Sequence, residues 1–357
     1  MIAHASHAKL RRDSPRASGP DSSRPSQPVL AALDLGTNSC RLLVAVPRSP
    51  QPEQSPFLVV DSFSRVVRLG EGLSTFPALN AEAMDRTMEV LRICRDKMGR
   101  AKVTHLRAVA TEACRQASNG LAFLERVRRE TGIGFEIISG AEEARLAMIG
   151  CAPLLLPKPL HAVMFDIGGG STELAWLRVE SSSAPPRLLD HVSLPVGVVN
   201  LTERYGGDTI SSEHYQDMID SVRAALLPFD RRNGIGMQMK AQQVQILGCS
   251  GSLTTLAAAM IGLPRYQRSA VDGRILATDE TLRMTRRLCS LTRDERNRIP
   301  GIGPDRGDLI VSGCAILEAL LSLWPVERLR VGDRGLREGI LTDIVYALEV
   351  KSRRALA

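Results

Sequence analysis

The sequence predicts an α/β protein of two related domains facing each other across a central cleft. Three observations point to it. An imperfect repeat sets Val29–Val46 (VLAALDLGTNSCRLLVAV) beside Leu160–Val179 (LHAVMFDIGGGSTELAWLRV). Each copy is an apolar run, an Asp-x-Gly turn with small polar residues, and a second apolar run, the signature of a β-hairpin. A length of 357 residues suits one large domain or two of ordinary size. A composition of 44% hydrophobic and 24% charged residues is that of a globular protein able to bury its core without disulfide or metal staples.

Residues 1–28 stand apart. They hold Lys9, Arg11, Arg12, Arg16 and Arg24 against Asp13 and Asp21, with six Ser and four Pro. Such a stretch cannot offset its ordering entropy and reads as a solvated, disordered leader. It has no apolar h-region, so it is not a secretory signal. It supplies +3 of the net +7, a balance that fits polyanionic partners without selecting one. Aromatics make up 4% and leave few stacking platforms, which argues against nucleic acid. No apolar run reaches the 18 or so residues of a membrane span. The seven cysteines (40, 94, 114, 151, 249, 289, 314) are odd in number and show no C-x-x-C spacing. That disfavours zinc and a disulfide framework and points to a reducing, cytoplasmic setting.

The first domain, expected over 29–150, opens with the hairpin that carries Asp34, Gly36, Thr37, Asn38, Ser39 and Arg41. Glycines let backbone approach a ligand, successive N–H groups form an anion-binding concavity, and the hydroxyls add donors. An Asp ending the first strand would repel phosphate unless a cation sits between them. Asp34 and its counterpart Asp166 therefore suggest Mg²⁺ held largely through water. Next, an apolar strand enters a helix at VATEACR. Arg115 there is either a bidentate phosphate clamp or an ordinary ion pair, and the same choice applies to Arg41. In Ser139-Gly-Ala-Glu142-Glu143, Ser139 and Glu142 have capping-box spacing. Glu143 is left without that duty, in a first turn where acids are favoured anyway. Arg145 orders the site or pairs with an acid.

The second domain, expected over 151–350 with 351–357 as a tail, opens with the hairpin carrying Asp166, Gly168, Gly169, Gly170, Ser171, Thr172 and Glu173. Glu173 is an acid in an otherwise apolar strand. Gln245–Leu247 leads into Gly248-Cys249-Ser250-Gly251-Ser252 and a helix, Leu253–Met260, whose N-terminus suits an anion or a sugar edge. Cys249 has no His in its motif and is rejected as a nucleophile. The six histidines (4, 7, 105, 161, 191, 214) make no metal-ligating pair. Arg306 is a third phosphate candidate on the far wall, with Asp308 anchoring its loop. A final helix is expected over Leu336–Val350.

DLGTNSCRLLVA and FDIGGGSTEL closely resemble the exopolyphosphatase and guanosine pentaphosphate phosphohydrolase (Ppx/GppA) family, within the actin, hexokinase and chaperone ATPase superfamily. The likeness continues in order through RAVATEACRQASN, EIISGAEEARLAMIG, SLPVGVVNLTERY, ILGCSGSLTTLAA, IPGIGPDRGDLIVSGCAIL and VGDRGLREGIL. It spans roughly 30–348 and implies ribonuclease-H-like (actin-like ATPase) domains. It makes Glu143 the catalytic base and Glu173 the second essential carboxylate, a metal or water positioner with base duty as the alternative. It also sets Arg115 against the substrate phosphates. Longer members append a helical region, so the chain reads as the short two-domain form. A homodimer is expected, from the resemblance and from the commonness of two-fold oligomers. The implied reaction is hydrolysis of terminal phosphate from polyphosphate or of the 5′ γ-phosphate of guanosine pentaphosphate. A kinase of the same superfamily and a weakly catalytic guanosine tetra- or pentaphosphate sensor are the alternatives.

Overall fold

The computed structural model describes residues 27–49, 55–180, 185–304 and 306–356. Residues 1–26 of the expected leader lie outside the described residues.

The first sheet is assembled from the hairpin outward. Strands β1 (Leu30–Leu35) and β2 (Ser39–Pro47) pair antiparallel, with Asp34 opposite Arg41. Strand β3 (Phe57–Val66) continues the meander. Helix α1 (Ala81–Arg100), capped by the Asn80 side chain, then crosses to β4 (His105–Ala110), which pairs parallel to β1. Helices α2 (Glu112–Gln116) and α3 (Gly120–Thr131) lead to β5 (Phe135–Ile137), and α4 (Gly140–Cys151) follows. The strand order is β3-β2-β1-β4-β5.

The second sheet repeats this plan. Strands β6 (His161–Ile167), β7 (Thr172–Arg178) and β8 (Arg187–Leu194) form the meander, with Asp166 opposite Glu173. Helices α5 (Val198–Tyr205), α6 (Ser212–Asn233) and α7 (Ile235–Lys240) precede β9 (Val244–Gly248), parallel to β6. Then come α8 (Gly251–Ile261), α9 (Arg268–Val271), β10 (Ile275–Ala277), α10 (Thr278–Cys289), α11 (Arg293–Asn297), α12 (Ile310–Leu323), β11 (Arg328–Val331) and α13 (Leu336–Leu356). The order is β10-β11-β9-β6-β7-β8, which is the first sheet's plan with one strand added. The two sheets are therefore ribonuclease-H-like domains of the actin-like ATPase fold. The sequence repeat is a structural one, with Asp34 and Asp166 closing equivalent strands.

Both sheets are covered on both faces, which is why their central strands read as near-continuous apolar runs. On one face of the first sheet, Ala31, Leu33 and Leu35 pack on Met88 and Leu91 of α1 and Val127 of α3. On the other, Leu30, Ala32 and Leu43 pack on Leu336, Ile340 and Leu341. Those last three belong to α13, so the chain's last helix serves the first domain. Reciprocally, Ala147, Met148 and Cys151 of α4 pack on Ala162, Met164 and Ala175 of the second sheet. This corrects the division at 150/151: each sheet is completed by a helix drawn from the other half of the chain. The expected 351–357 tail is likewise corrected, because α13 continues to Leu356.

The exchanged helices cross at backbone contact. A Cβ on Gly339 would strike the Leu146 carbonyl, and one on Gly150 would strike the Gly335 carbonyl. Small residues at a crossing permit this approach, and the two contacts fix α4 against α13 beneath the cleft.

Candidate active site

The two hairpin turns are built alike. Gly36 N–H donates to the Ser39 carbonyl at 3.0 Å, and Gly168 N–H to the Ser171 carbonyl at 2.8 Å. Neighbouring backbone then fixes the outer carbonyls. Gly70 N–H donates to Thr37 O, Val67 and Arg68 N–H to Asn38 O, and Val198 and Val199 N–H to Gly168 and Gly169 O. Asn200 Nδ2 takes Gly170 O at 3.0 Å. Among the described residues no protein acceptor takes the N–H groups of Thr37, Asn38, Gly169 or Gly170. They form the kind of donor nest that binds anions. The loops meet face to face: a Cβ on Gly169 would lie 3.0 Å from Thr37 Cβ and 3.1 Å from Asn38 N. Glycine is what lets one loop close on the other.

Between the domains lies a cleft of about 650 Å³, within the usual range for small-molecule sites. It is lined by Asp34, Gly36, Thr37, Asn38, Ser39, Arg41, Glu143, Asp166, Gly168, Gly169, Gly170, Ser171, Glu173, Gly251, Ser252 and Arg306. These are all but two of the residues singled out from the sequence. The exceptions correct expectations. Thr172 is buried beneath the loop and donates its hydroxyl to the Val196 carbonyl at 2.6 Å. Arg115 does not line the cleft. Its guanidinium bonds Glu112 and the Ile138 carbonyl and stands 3.6 Å from Glu143 Oε2. Those contacts hold its guanidinium beside the Glu143 carboxylate, back from the cleft surface. The capping box is also half absent. Ser139 Oγ accepts from Glu142 N–H at 3.2 Å, but the Glu142 carboxylate turns to Arg145 and Arg107, which hold it down at about 2. Arg145 also pairs with Asp343.

Arg41 and Arg306 converge on the start of α8. A Cβ on Gly251 would come 3.0 Å from Arg41 Nη2. Arg306 Nη1 donates to Gly251 O at 3.3 Å and to Thr255 Oγ1. Asp308 anchors its loop by pairing with Arg68 of the first domain at 2.8 Å.

Four carboxylates crowd the cleft floor. Burial pushes Asp166 up to about 7, and Glu173 across the hairpin adds to it while Arg41 opposes. Burial raises Asp34 too, against the pull of Arg41. Glu143 stands well above the ordinary carboxylate range through burial and the nearby charges of Glu173 and Asp34. Glu173 is raised by burial, partly offset by the hydroxyls of Ser171 and Ser193, the latter donating at 2.9 Å. Like charges opposed in this way are costly unless a cation intervenes. Among the described residues, the buried cleft acceptors Glu143 Oε2 and Asn38 Oδ1 find no hydrogen-bond donor. Hard oxygen donors with surplus negative charge fit Mg²⁺. Among the described residues no three His, Cys, Asp or Glu side chains are grouped as metal ligands. Cys249 lies beside Cys151, and all seven cysteines are free thiols.

The sequence reading missed the part of the cleft formed by Tyr266, Arg268, Asp333, Arg334, Arg337 and Glu338. Glu338 is buried, paired with Arg268 at 2.7 Å and accepting from Gly335 N–H at 3.0 Å. The available signal was VGDRGLREGIL itself, a glycine turn dense in charge before a helix.

Paired phosphate loops on two ribonuclease-H-like domains, closing on a carboxylate-lined cleft, define a phosphate-handling member of the actin-like ATPase fold. The chain belongs to the Ppx/GppA phosphatase family, whose model matches residues 51–347. Solved structures agree. A Ppx/GppA family member from Aquifex aeolicus is 28% identical with a TM-score of 0.71, the match covering 90% of this chain and 98% of that one. An exopolyphosphatase-like protein is 26% identical with a TM-score of 0.80, over 90% and 99% of the two chains. An exopolyphosphatase from Cytophaga hutchinsonii is 25% identical with a TM-score of 0.78, over 89% and 98%. Among the described residues no helix is long and apolar enough to cross a membrane.

Proposed function

We propose that the protein is a metal-dependent phosphohydrolase acting on a terminal phosphoryl group, of inorganic polyphosphate or at the 5′ end of guanosine pentaphosphate. The observation that carries this reading is Glu143: a carboxylate with one oxygen that takes no hydrogen bond and faces only the Arg115 guanidinium at 3.6 Å, raised well above its ordinary range, in the cleft between the two donor loops. The N–H groups of both loops, with Arg41 and Arg306, hold the terminal phosphates. Glu143 accepts the proton of the attacking water, Arg115 keeps its carboxylate in place, and Glu173 positions water or metal. Asp34, Asp166 and Glu173 would hold Mg²⁺, which supplies charge neutralisation at the phosphoryl oxygens. The barrier then falls through positioning and electrostatics, as in phosphoryl transfer generally.

Phosphate release from long-chain polyphosphate and from guanosine pentaphosphate, with and without magnesium, tests this. Release is expected from at least one substrate and only with magnesium. Glu143→Gln should retain binding and lose about 10²- to 10⁴-fold in rate. No release from either substrate would favour a nucleotide sensor.

A further inference from the structure

Glu112 is a buried acid just outside the cleft. It opens α2, is 9% exposed and does not line the cleft. The Thr111 N–H before it donates to Leu35 O at 3.1 Å, which seats the start of α2 at the end of β1. Both Glu112 oxygens are engaged by its own short helix: Oε2 accepts from Arg115 Nη2 and Oε1 from Gln116 Nε2. Its methylene arm packs on the phosphate loop of the other domain, where a Cβ on Gly170 would lie 3.3 Å from Glu112 Cγ. The acid is therefore fixed from both sides.

Arg115 divides its guanidinium unequally. Nη2 is committed to Glu112, Nη1 donates to the Ile138 carbonyl at 2.6 Å, and the same Nη1 stops 3.6 Å from Glu143 Oε2. A guanidinium free to choose closes on a carboxylate to about 2.8 Å. Glu143 Oε2 invites that closure, being buried and without a hydrogen-bond donor among the described residues. Glu173 competes less, because the Ser171 and Ser193 hydroxyls already serve it. What opposes the closure is the second acid, Glu112. A full Arg115–Glu143 pair would occupy the oxygen that has to take a proton from water.

We propose that Glu112 is a positioning residue: it holds Arg115 back from Glu143, so that the cation steadies the base without occupying it. This rests on Glu143 being the base of a phosphohydrolase. Because Gly170 of the second domain backs the Glu112 arm, the restraint is complete only with the two loops together.

Crystal structures and steady-state kinetics of the full-length wild type, Glu112→Gln, Arg115→Ala and the double variant are the test. Glu112→Gln keeps the shape of the side chain and removes its charge. Arg115 should then close on Glu143 to about 2.8 Å, and kcat for phosphate release should fall about ten-fold with KM within about two-fold. In the Arg115→Ala background the same substitution should change kcat by less than about two-fold, because the cation it restrains is gone. A merely structural Glu112 would instead lower Tm and cost the same factor in kcat in both backgrounds. That outcome would overturn the proposal, as would an unchanged Arg115–Glu143 separation in Glu112→Gln, or closure with no loss of kcat in an active enzyme. If the wild type releases no phosphate from polyphosphate or guanosine pentaphosphate, the hydrolase reading falls, and the Arg115–Glu143 separation still decides whether Glu112 restrains the cation.

Discussion

Asp166 and Arg115 show how far single residues were readable. Asp166 was legible because strand-ending Asp-x-Gly turns occur twice in register. Its ionisation was not legible, since that depends on how deeply the fold buries it and then on Glu173 lying directly across the hairpin. With a folded value near 7 against an ordinary 3.8, the unfolded chain loses this proton first as pH rises. Stability therefore falls between about pH 4 and 7, by on the order of 4 kcal/mol for this group. A divalent cation bound to the ionised carboxylates, as proposed, would reverse the loss. Magnesium should accordingly raise Tm clearly at pH 8 and little at pH 5 in thermal melts, and equal shifts at both would contradict the cation site. Arg115 was left open between clamp and ion pair because a sequence shows a cation near the loops but not its partners. Its guanidinium is set between Glu112, Ile138 O and Glu143, where it would position the proposed base. Arg115→Ala should lower kcat with KM little changed and alter the pH profile, whereas a phosphate clamp would raise KM.

At the scale of elements, the two hairpins and the turn into α8 were legible, because each is set by local pattern, and the structure adds the cap. Ser250 caps α8 through Leu253 N–H at 2.9 Å. The partners of α4 and α13 were not. Apolar periodicity says that a helix buries a face, not which sheet receives it. Gly339 and Gly150 were visible as helical glycines, but their purpose emerges only at the crossing. Gly339→Ala places a methyl against the Leu146 backbone, which no rotamer change relieves. It should cost about 3 kcal/mol, the upper range for overpacking. Gly99→Ala in α1, where nothing lies within 4 Å, should instead be neutral or stabilising by under about 1 kcal/mol. Paired urea melts of the two variants measure the difference.

Across the whole molecule, contacts bridge the cleft mouth from the segment after β3 to the second domain. Arg68 pairs with Asp308, while Gly72 N–H and Ser74 Oγ donate to Glu203. Arg68 is 38% exposed, so its pair is screened by solvent and contributes at most about 1 kcal/mol. Glu203→Ala should therefore scarcely change the urea midpoint while raising KM, because the closed arrangement of the loops loses a tie. The helix exchange sets a different kind of limit, on the order in which the chain can be built. During synthesis the first sheet is complete in sequence by residue 137, yet the face carrying Leu30, Ala32 and Leu43 has little beyond Ile138 and Leu146 to pack on it until Leu336–Val345 has left the ribosome. A nascent chain must carry that apolar face through some 200 further residues, so the first domain, although made first, is finished last. Premature termination before residue 336 would expose the beginning of the protein, not its end.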